Sequence, residues 1–581
     1  MDWLQSVVDF FNTYVVEYGI RVGGENVPFM VILLLGTGFY LTLRTGFVQL
    51  RRLRHGFAVT SGKYDDPNEP GDVSHFQALT TALSATVGIG NIAGVAIAIH
   101  WGGPGALFWM WVTAFVGMAT KYSEVTLAQR YRDVDEVGGA HKWEGAVSGG
   151  PMYYIERGLG PAWKPMAVFF ALMLGFTAFL TGNAVQANTV ADTMNDTFGI
   201  AVWITGLVTA GVVAMVILGG ISRIGKVTAF LAPLMAAIYV TGALLIILLN
   251  ASEVPAAFST IFTEAFRPAA GVAGTGAGIF LVTLMWGVRR GLFSNEAGQG
   301  SAPIAHAAAK TDEPVSEGVV ALLEPFIDTI LICSMTGLVI IMTGTYSERF
   351  QTEITLGGGD LSYTVLTEGD RWASVDAPGE IAIEDGRHVS TGVGAPMVAW
   401  HEVHVEELYV DAGMTQTFTG TIYPARAEAV GADGRTHGSL YAMAVESGAP
   451  LTMQAFRTGL SPIGDWGHYI VLLGVLLFAV STAISWSYYG DRCANYLFGH
   501  SLVLPYKFVF VLMHFMGAVV PLAVVWAMGD VALAIVIVPN LIALILLAPQ
   551  VVEMTRSYFE RKPWVENERA HQEWKRSRGK G

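Results

Sequence analysis

Long apolar runs, each close to the ~20 residues that cross a bilayer as a helix, recur along this chain with polar joints between them. They fall at 27–47, 76–98, 104–128, 165–187, 200–219, 226–249, 273–292, 318–343, 466–487, 506–527 and 529–548. Hydrocarbon offers a free backbone group no partner and such runs cannot close a β-barrel, so the pattern predicts eleven membrane-spanning helices. The rhythm breaks at 345–464, where EITLGG, LSYTVL, EIAIED and HVEELYV alternate between Gly, Asp and Pro positions. That alternation predicts a small β-rich module. Ahead of the first run, Trp3, Leu4, Val7, Val8, Phe11 and Val15 stand at helical spacing without a basic start or a cleavage site. Residues 1–26 therefore read as an interfacial helix, not a signal peptide.

Composition supports the same class: 52% of residues are hydrophobic and 14% charged, against about 25% charged in soluble domains. Cys333 lies in a run and Cys493 beside one, and 345–464 has no cysteine, so no disulfide framework is implied. Charge changes the picture more, because the joints alternate. The first holds Arg44, Arg51, Arg52, Arg54 and Lys63, the second (HWGGPG) holds no Lys or Arg, the third is basic again, and the tail 551–581 is strongly basic. The basic side is cytoplasmic. The N-terminus is then outside, the C-terminus inside and the 345–464 insert outside. That insert has 16 acidic and 6 basic residues, so it carries −10 of the chain's formal −14. Its HEVH, with His401 and His404, lacks the HExxH zinc spacing and reads as a solvated loop pair.

Two runs contain helix breakers in corresponding places. The second has Val87-Gly88-Ile89-Gly90-Asn91 at its centre and the seventh has Trp286-Gly287-Val288-Arg289-Arg290-Gly291. They stand five positions apart in the series, an odd number, so they cross in opposite directions and head two inverted five-helix units, 76–250 and 273–344 with 465–550. Inverted repeats with interrupted helices point to a secondary-transporter site at mid-membrane, where freed N–H groups suit a carboxylate and freed carbonyls suit a cation. Close helix packing is the alternative meaning of the same glycines. Arg289, Arg290 and Glu296 add intramembrane charge, which lines a polar pathway or pairs to neutralise itself.

Asn183 and Gln186 fall on one helix face at i, i+3 spacing, as ligand contacts or interhelical hydrogen bonds. Ser481 and Thr482 offer hydroxyls to a small hard cation, or bond back to their own helix. Rival classes fare worse. GISRIGKV, Gly220 to Val227, lacks the hydroxyl a phosphate loop needs after its lysine. Glu324 and Asp328, one turn apart, have no nucleophile or metal motif beside them, so no enzyme is read here and helix pairing or a proton path remains. An ion channel would not need matched breaks.

GGPGALFWMWVTAFVGMATKYSE, Gly102 to Glu124, with ATVGIGNIAGVA, GGPMYYIERGLG, GNAVQANTVA and GVRRGLFSNEAGQGSAPIAHAAAKT, resembles the alanine or glycine:cation symporters, also called sodium:alanine symporters. The resemblance spans about 27–344 and 465–550, with the 345–464 insert as the departure. It implies an all-α polytopic membrane protein with a leucine-transporter-like five-plus-five inverted repeat and one extra N-terminal helix, here 27–47. It further implies substrate contacts from Thr86, Gly88, Ile89 and Gly90, from Phe176, Asn183 or Gln186, and from Trp286 and Gly287. Sodium contacts are implied for the carbonyls of Ser84 and Val87 with Thr482, Asn91 serving a second sodium site; Ala483 replaces a common hydroxyl, leaving Ser481 or carbonyls to complete the shell. The expectation is Na⁺-coupled import of a small neutral amino acid, alanine or glycine, across a bacterial-type inner membrane. Proton coupling is the alternative. The surroundings are a lipid bilayer and not a nucleic acid, and the insert is open to a partner.

Overall fold

The computed structural model describes residues 14, 18–22, 25–66, 69–134, 147–267, 280–357, 360–367, 371–520 and 522–577. The apolar runs in it are helices: α1 (Phe29–Arg44), α2 (Val48–Thr60), α3 (His75–Thr86), α4 (Val95–Gly102), α5 (Ala106–Tyr131), α6 (Lys164–Phe179), α7 (Val185–Phe198), α8 (Val202–Ile217) and α9 (Gly220–Leu249). Then follow α10 (Phe280–Asn295), α11 (Ala302–His306), α12 (Pro314–Ala321), α13 (Ser334–Thr343), α14 (Gly448–Leu460), α15 (Gly467–Phe498), α16 (Val503–Val519), α17 (Leu522–Arg561) and α18 (Trp564–Ser577). Among the described residues, six helices are long and apolar enough to cross a membrane, or eight if each bent pair counts as one span. α8 is shorter, and α5 is not among the six. Their outward sides are apolar too: Leu207, Phe230 and Leu248 are 60%, 69% and 73% exposed. Water would penalise that surface and acyl chains would not. The chain is a polytopic membrane protein.

Several boundaries differ from the hydrophobic pattern. The runs at 506–527 and 529–548 part earlier, at Val520, whose backbone is extended as expected of a residue preceding proline. α17 then continues for 40 residues into the segment read as a tail. α18 folds back on α2: the Trp564 ring lies 4.6 Å from the His55 ring, and Asn567 donates to Glu69, in the joint beyond α2, at 3.1 Å. The residues that carry the N-terminal amphipathic pattern, Trp3, Leu4, Val7, Val8, Phe11 and Val15, lie outside the described residues, as do 273–279 of the seventh run. A short antiparallel ribbon, β1 (Gly19–Val22) and β2 (Glu25–Pro28), leads into α1.

The polar insert divides in two. Its strands are β3 (Arg349–Thr355), β4 (Leu361–Thr367), β5 (Arg371–Val375), β6 (Ile381–Glu384), β7 (Arg387–His388), β8 (Pro396–Trp400), β9 (Val403–His404), β10 (Gly420–Tyr423), β11 (Glu428–Gly431), β12 (Thr436–His437) and β13 (Ser439–Val445). They form antiparallel sheets ordered β12-β11-β10-β6-β7, β5-β4-β8-β9 and β13-β3 around their own core of Ile354, Ile383, Val398, Leu408, Phe418 and Leu440. α14, though inside the same polar segment, belongs to the helical body. Phe456 packs on Tyr239 at 5.2 Å, and Thr452 donates to the Ile92 carbonyl at 3.0 Å. The module therefore ends near Val445 and not at 464: α14, 13 residues long, is too short to stand out as a span in the hydrophobic pattern.

Candidate functional site

The second run breaks where its glycines predict. A Ser74–Gln77 capping box starts α3, which ends at Thr86, and Val87 turns out of the helix at φ −74°, ψ 86°. The chain resumes as one π-type turn, Gly90–Gly94, and then α4, bent by 56° from α3. Asn91 stitches the gap: its Oδ1 accepts the Gly88 N–H at 2.9 Å. The Ser84 carbonyl, near the end of α3, is met by the Thr482 hydroxyl of α15 at 3.1 Å and by Ser481 at 3.4 Å.

The seventh run does not break at Trp286–Gly291. α10 passes through those residues unbroken to Asn295. Its glycines serve packing instead: a Cβ at Gly287 would stand 2.4 Å from the Ala106 carbonyl oxygen, and one at Gly291 3.2 Å from the Met110 Cα. The break comes one turn later. Glu296, Gly298 and Gly300 all have left-handed φ (53°, 90°, 78°) before α11 begins. For a glutamate that conformation is rare and marks a constrained site. Among the described residues Glu296 takes its hydrogen bonds from Ser301 Oγ at 2.5 Å and Trp486 Nε1 at 3.1 Å, and makes no ion pair with Arg289 or Arg290.

Between the two breaks lies a small cavity of about 20 Å³, lined by Ala85, Thr86, Gly88, Ile89, Gly90, Thr181, Gln186, Phe293, Glu296, Gln299, Thr482, Trp486 and Leu533. That is room for about one water molecule. Its walls hold buried acceptors that lack a partner, Gln186 Oε1 and Gln299 Oε1, and Ser84 Oγ is buried and unpartnered beside it. Buried polar atoms are normally satisfied, and these are the polar atoms the site can offer a ligand. Gly88 is close-fitted: a Cβ would stand 2.8 Å from Thr482 Oγ1.

Of the residues read from the sequence, Thr86, Gly88, Ile89, Gly90, Gln186 and Thr482 come together here, with Ser84 and Val87 at the helix end. Asn183 does not. Its amide donates to the Phe510 carbonyl at 2.7 Å and meets His514 Nδ1 at 2.7 Å, on the face toward α16. The π-type turn Leu180–Ala184 shifts the register between it and Gln186, which breaks the shared i, i+3 face. Phe176 is 48% exposed on the outer surface. Trp286 stacks on Trp101 at 5.7 Å, away from the cavity. Ser481 also bonds back to its own helix, at the Phe478 carbonyl, 2.9 Å.

Asn91 turns its amide N–H₂ to a second polar nest, donating to Asp328 Oδ1 at 2.6 Å and Ser294 Oγ at 3.0 Å. Glu324 and Asp328 therefore serve different neighbourhoods. Glu324 Oε2 lies 3.4 Å from Lys121 Nζ and 3.7 Å from His306 Nε2, while the other ring nitrogen of His306 meets Glu317 Oε1 at 2.5 Å and His75 meets Glu317 Oε2. All five are buried. Sequence reasoning missed Glu317, His306 and Lys121 in this role, and Gln299, Trp486, Thr181, Phe293 and Leu533 in the cavity. GISRIGKV lies within the helix α9, not in a loop, and His404 stacks on Trp372 at 4.6 Å.

Comparison with known proteins agrees with this architecture. Residues 2–367 and 403–572 match the model of the sodium:alanine symporter family, so 368–402 is the part of the insert left unmatched. The chain is 39% identical over 535 residues to the sodium/alanine symporter AgcS of Methanococcus maripaludis, covering 92% of this chain and 94% of that one. It is 40% identical over 321 residues to the putative sodium/proton-dependent alanine carrier protein YrbD of Bacillus subtilis (55% and 63%). It is 37% identical over 345 residues to the probable sodium/glutamine symporter GlnT of the same organism (59% and 68%). The chain belongs to the sodium:alanine symporter family.

Proposed function

We propose that this protein imports a small neutral amino acid, alanine or glycine, together with Na⁺, by alternating access around the two interrupted helices. The observation that carries the reading is the cavity between the breaks, with its unpartnered amide oxygens beside the Ser84 carbonyl and the Thr482 hydroxyl. Neutral carbonyl and hydroxyl oxygens are the ligand set a small hard cation takes. The helix start at the restart of the second run, with Ile89 and Gly90 on the cavity wall, suits a carboxylate. Amide oxygens of Gln186 and Gln299 can accept from an ammonium. A small zwitterion satisfies both at once when alternating access widens the cavity to admit it.

The transport reading carries with it eleven spans, the two inverted five-helix units, an external N-terminus and module, and an inner-membrane location with the C-terminus cytoplasmic. The breaks at 87–90 and 296–300 and the basic joints support them. An inward Na⁺ gains about 2.3 kcal/mol per 100 mV, roughly fiftyfold accumulation from voltage alone. Labelled alanine uptake into vesicles holding the purified chain, with Na⁺, Li⁺ and K⁺ gradients imposed in turn, tests it. Uptake that follows the Na⁺ gradient supports symport, and uptake indifferent to every cation gradient sinks it.

Proton coupling is a second reading, favoured by one geometry. His306 holds Glu317 through Nδ1, while its Nε2 stands 3.7 Å from Glu324 Oε2, too far for a hydrogen bond but close enough for a protonated ring to be attracted to both carboxylates. Lys121, 3.4 Å from the same Glu324 oxygen, adds a second proton carrier to the buried set. The same vesicles, driven by a pH gradient in place of Na⁺, separate the two readings.

A further inference from the structure

α2 leaves the first span at a bend of 79° and carries two opposed faces. Its inner face, Val48, Gln49, Gly56 and Val59, is buried. Gln49 reaches the Phe115 carbonyl at 3.2 Å, and a Cβ at Gly56 would stand 2.3 Å from the Val319 carbonyl oxygen of α12. The outer face carries Leu50 with Arg51, then Arg54 and Phe57 at steps of three and four, and Arg44 and Phe47 stand at the bend just before it. Leu50 is 69% exposed and Phe57 48%, and Arg51 and Arg54 are exposed beside them.

In a chain with 48 acidic and 34 basic residues, none of Arg44, Arg51, Arg52 or Arg54 makes an ion pair among the described residues. Arg44 lies near the Tyr40 ring, Arg51 donates to the Gly46 carbonyl at 3.3 Å, and Arg52 caps the Phe559 ring. A surface of unpaired guanidinium groups wants an anion. Interleaved Leu50 and Phe57 want hydrocarbon, which a free phosphate or a nucleic acid does not supply.

We propose that the outer face of α2 binds an anionic phospholipid, its phosphate on Arg51 and Arg54 and its acyl chains over Leu50 and Phe57. Lipid seated there holds α2 against α12, the helix whose Glu317 is shared by His75 and His306. The inference rests on membrane residence and not on the transport reading, so either can fail alone. The test uses the full chain in phosphatidylcholine vesicles with and without phosphatidylglycerol, followed by mass spectrometry of lipid retained after detergent extraction. The wild type retains phosphatidylglycerol over phosphatidylcholine. Arg51→Gln with Arg54→Gln lowers that preference about twenty-fivefold, near fivefold per arginine at the membrane surface. Arg426→Gln with Arg435→Gln, the same charge change on the β module, leaves it unchanged. A phosphatidylglycerol preference in the Arg51/Arg54 variant as strong as the wild type's, or a wild-type preference abolished by inorganic phosphate, overturns the proposal.

Discussion

The two interrupted helices reach the same cavity by different chemistry. At 87–90 the backbone stays in ordinary φ space and Asn91 closes the gap with its own side chain. Glycine is needed there for room, because Thr482 stands where a Cβ of Gly88 would go. At 296–300 the chain alternates into the left-handed region three times, and glycine is needed for conformation as well as room. One break is therefore a gap between helices that a ligand can touch, and the other is a rigid crank that aims Glu296 and Gln299 at it. A glycine in a membrane helix thus carries three meanings, spacing against a ligand, backbone reversal and helix contact, with Gly88, Gly300 and Gly287 as their examples.

The largest effect is expected at the crank. Gly300→Ala places a Cβ 2.5 Å from Pro151 Cγ and 2.8 Å from the Phe170 ring, at a φ of 78°. Left-handed backbone costs an alanine about 1–2 kcal/mol and overpacking about 1–3 kcal/mol more. The apparent unfolding temperature of the detergent-solubilised chain should fall sharply. An unchanged unfolding curve would mean that the second break is soft and the contrast drawn above is wrong. Gly287→Ala comes next, at about 1–3 kcal/mol, because the atom in its way is the Ala106 backbone. It should lower stability while leaving the Na⁺ concentration that half-saturates uptake where it was. A shift in that concentration with stability intact would return Trp286–Gly291 to the site.

Gly88→Ala should do the reverse. Its obstacle is a side-chain hydroxyl that can turn, so the fold tolerates it. The turned Thr482 leaves the Ser84 carbonyl, and the half-saturating Na⁺ concentration should rise about tenfold, the loss of ~1.4 kcal/mol of binding. Uptake with unaltered Na⁺ dependence would remove Thr482 from the ion's surroundings.

How much of this was legible in the sequence follows from what each signal could carry. Two glycines and an asparagine inside an apolar run can only weaken a helix, and Val87–Asn91 is where the break stands. Gly287 and Gly291 offered the same letters for another purpose, since residue type alone cannot say whether a neighbouring helix occupies the space beside them. The better signal lay a turn later in SNEAGQGS, where polar side chains alternate with glycines and no apolar face is left to bury. Gln186 was found and Asn183 misplaced because a π-type turn shifts the helical count between them, and nothing local announces such a turn. The buried set around His306 was invisible for a different reason: its members come from 75, 121, 306, 317 and 324, and only the packed fold makes them neighbours.

The smallest effect separates the breaks by what roofs them. α4 ends beneath the β module, where His100 Nε2 meets the His401 carbonyl at 3.0 Å and Trp101 packs on Val403 and Val445. Within that module His388 Nε2 accepts the Val398 N–H at 2.9 Å, which a doubly protonated ring cannot do. Burial, and the nearby His404, lower the His388 pKa from 6.5 to about 4. A depressed pKa of this kind contributes stability above 6.5 that is lost as pH falls toward 4. Between pH 7 and 6 the loss is about 0.7 kcal/mol. Hydrogen exchange of 396–404 in the full chain, corrected for the intrinsic rate, should therefore speed up at least threefold over that step, while 296–301, with no such roof, stays constant. His388→Gln, which keeps an acceptor but does not titrate, should remove the threefold share of His388 and leave that of His401 and His404, whose pKa values burial also lowers. If 296–301 responds equally, the two breaks are coupled more tightly than their different construction implies.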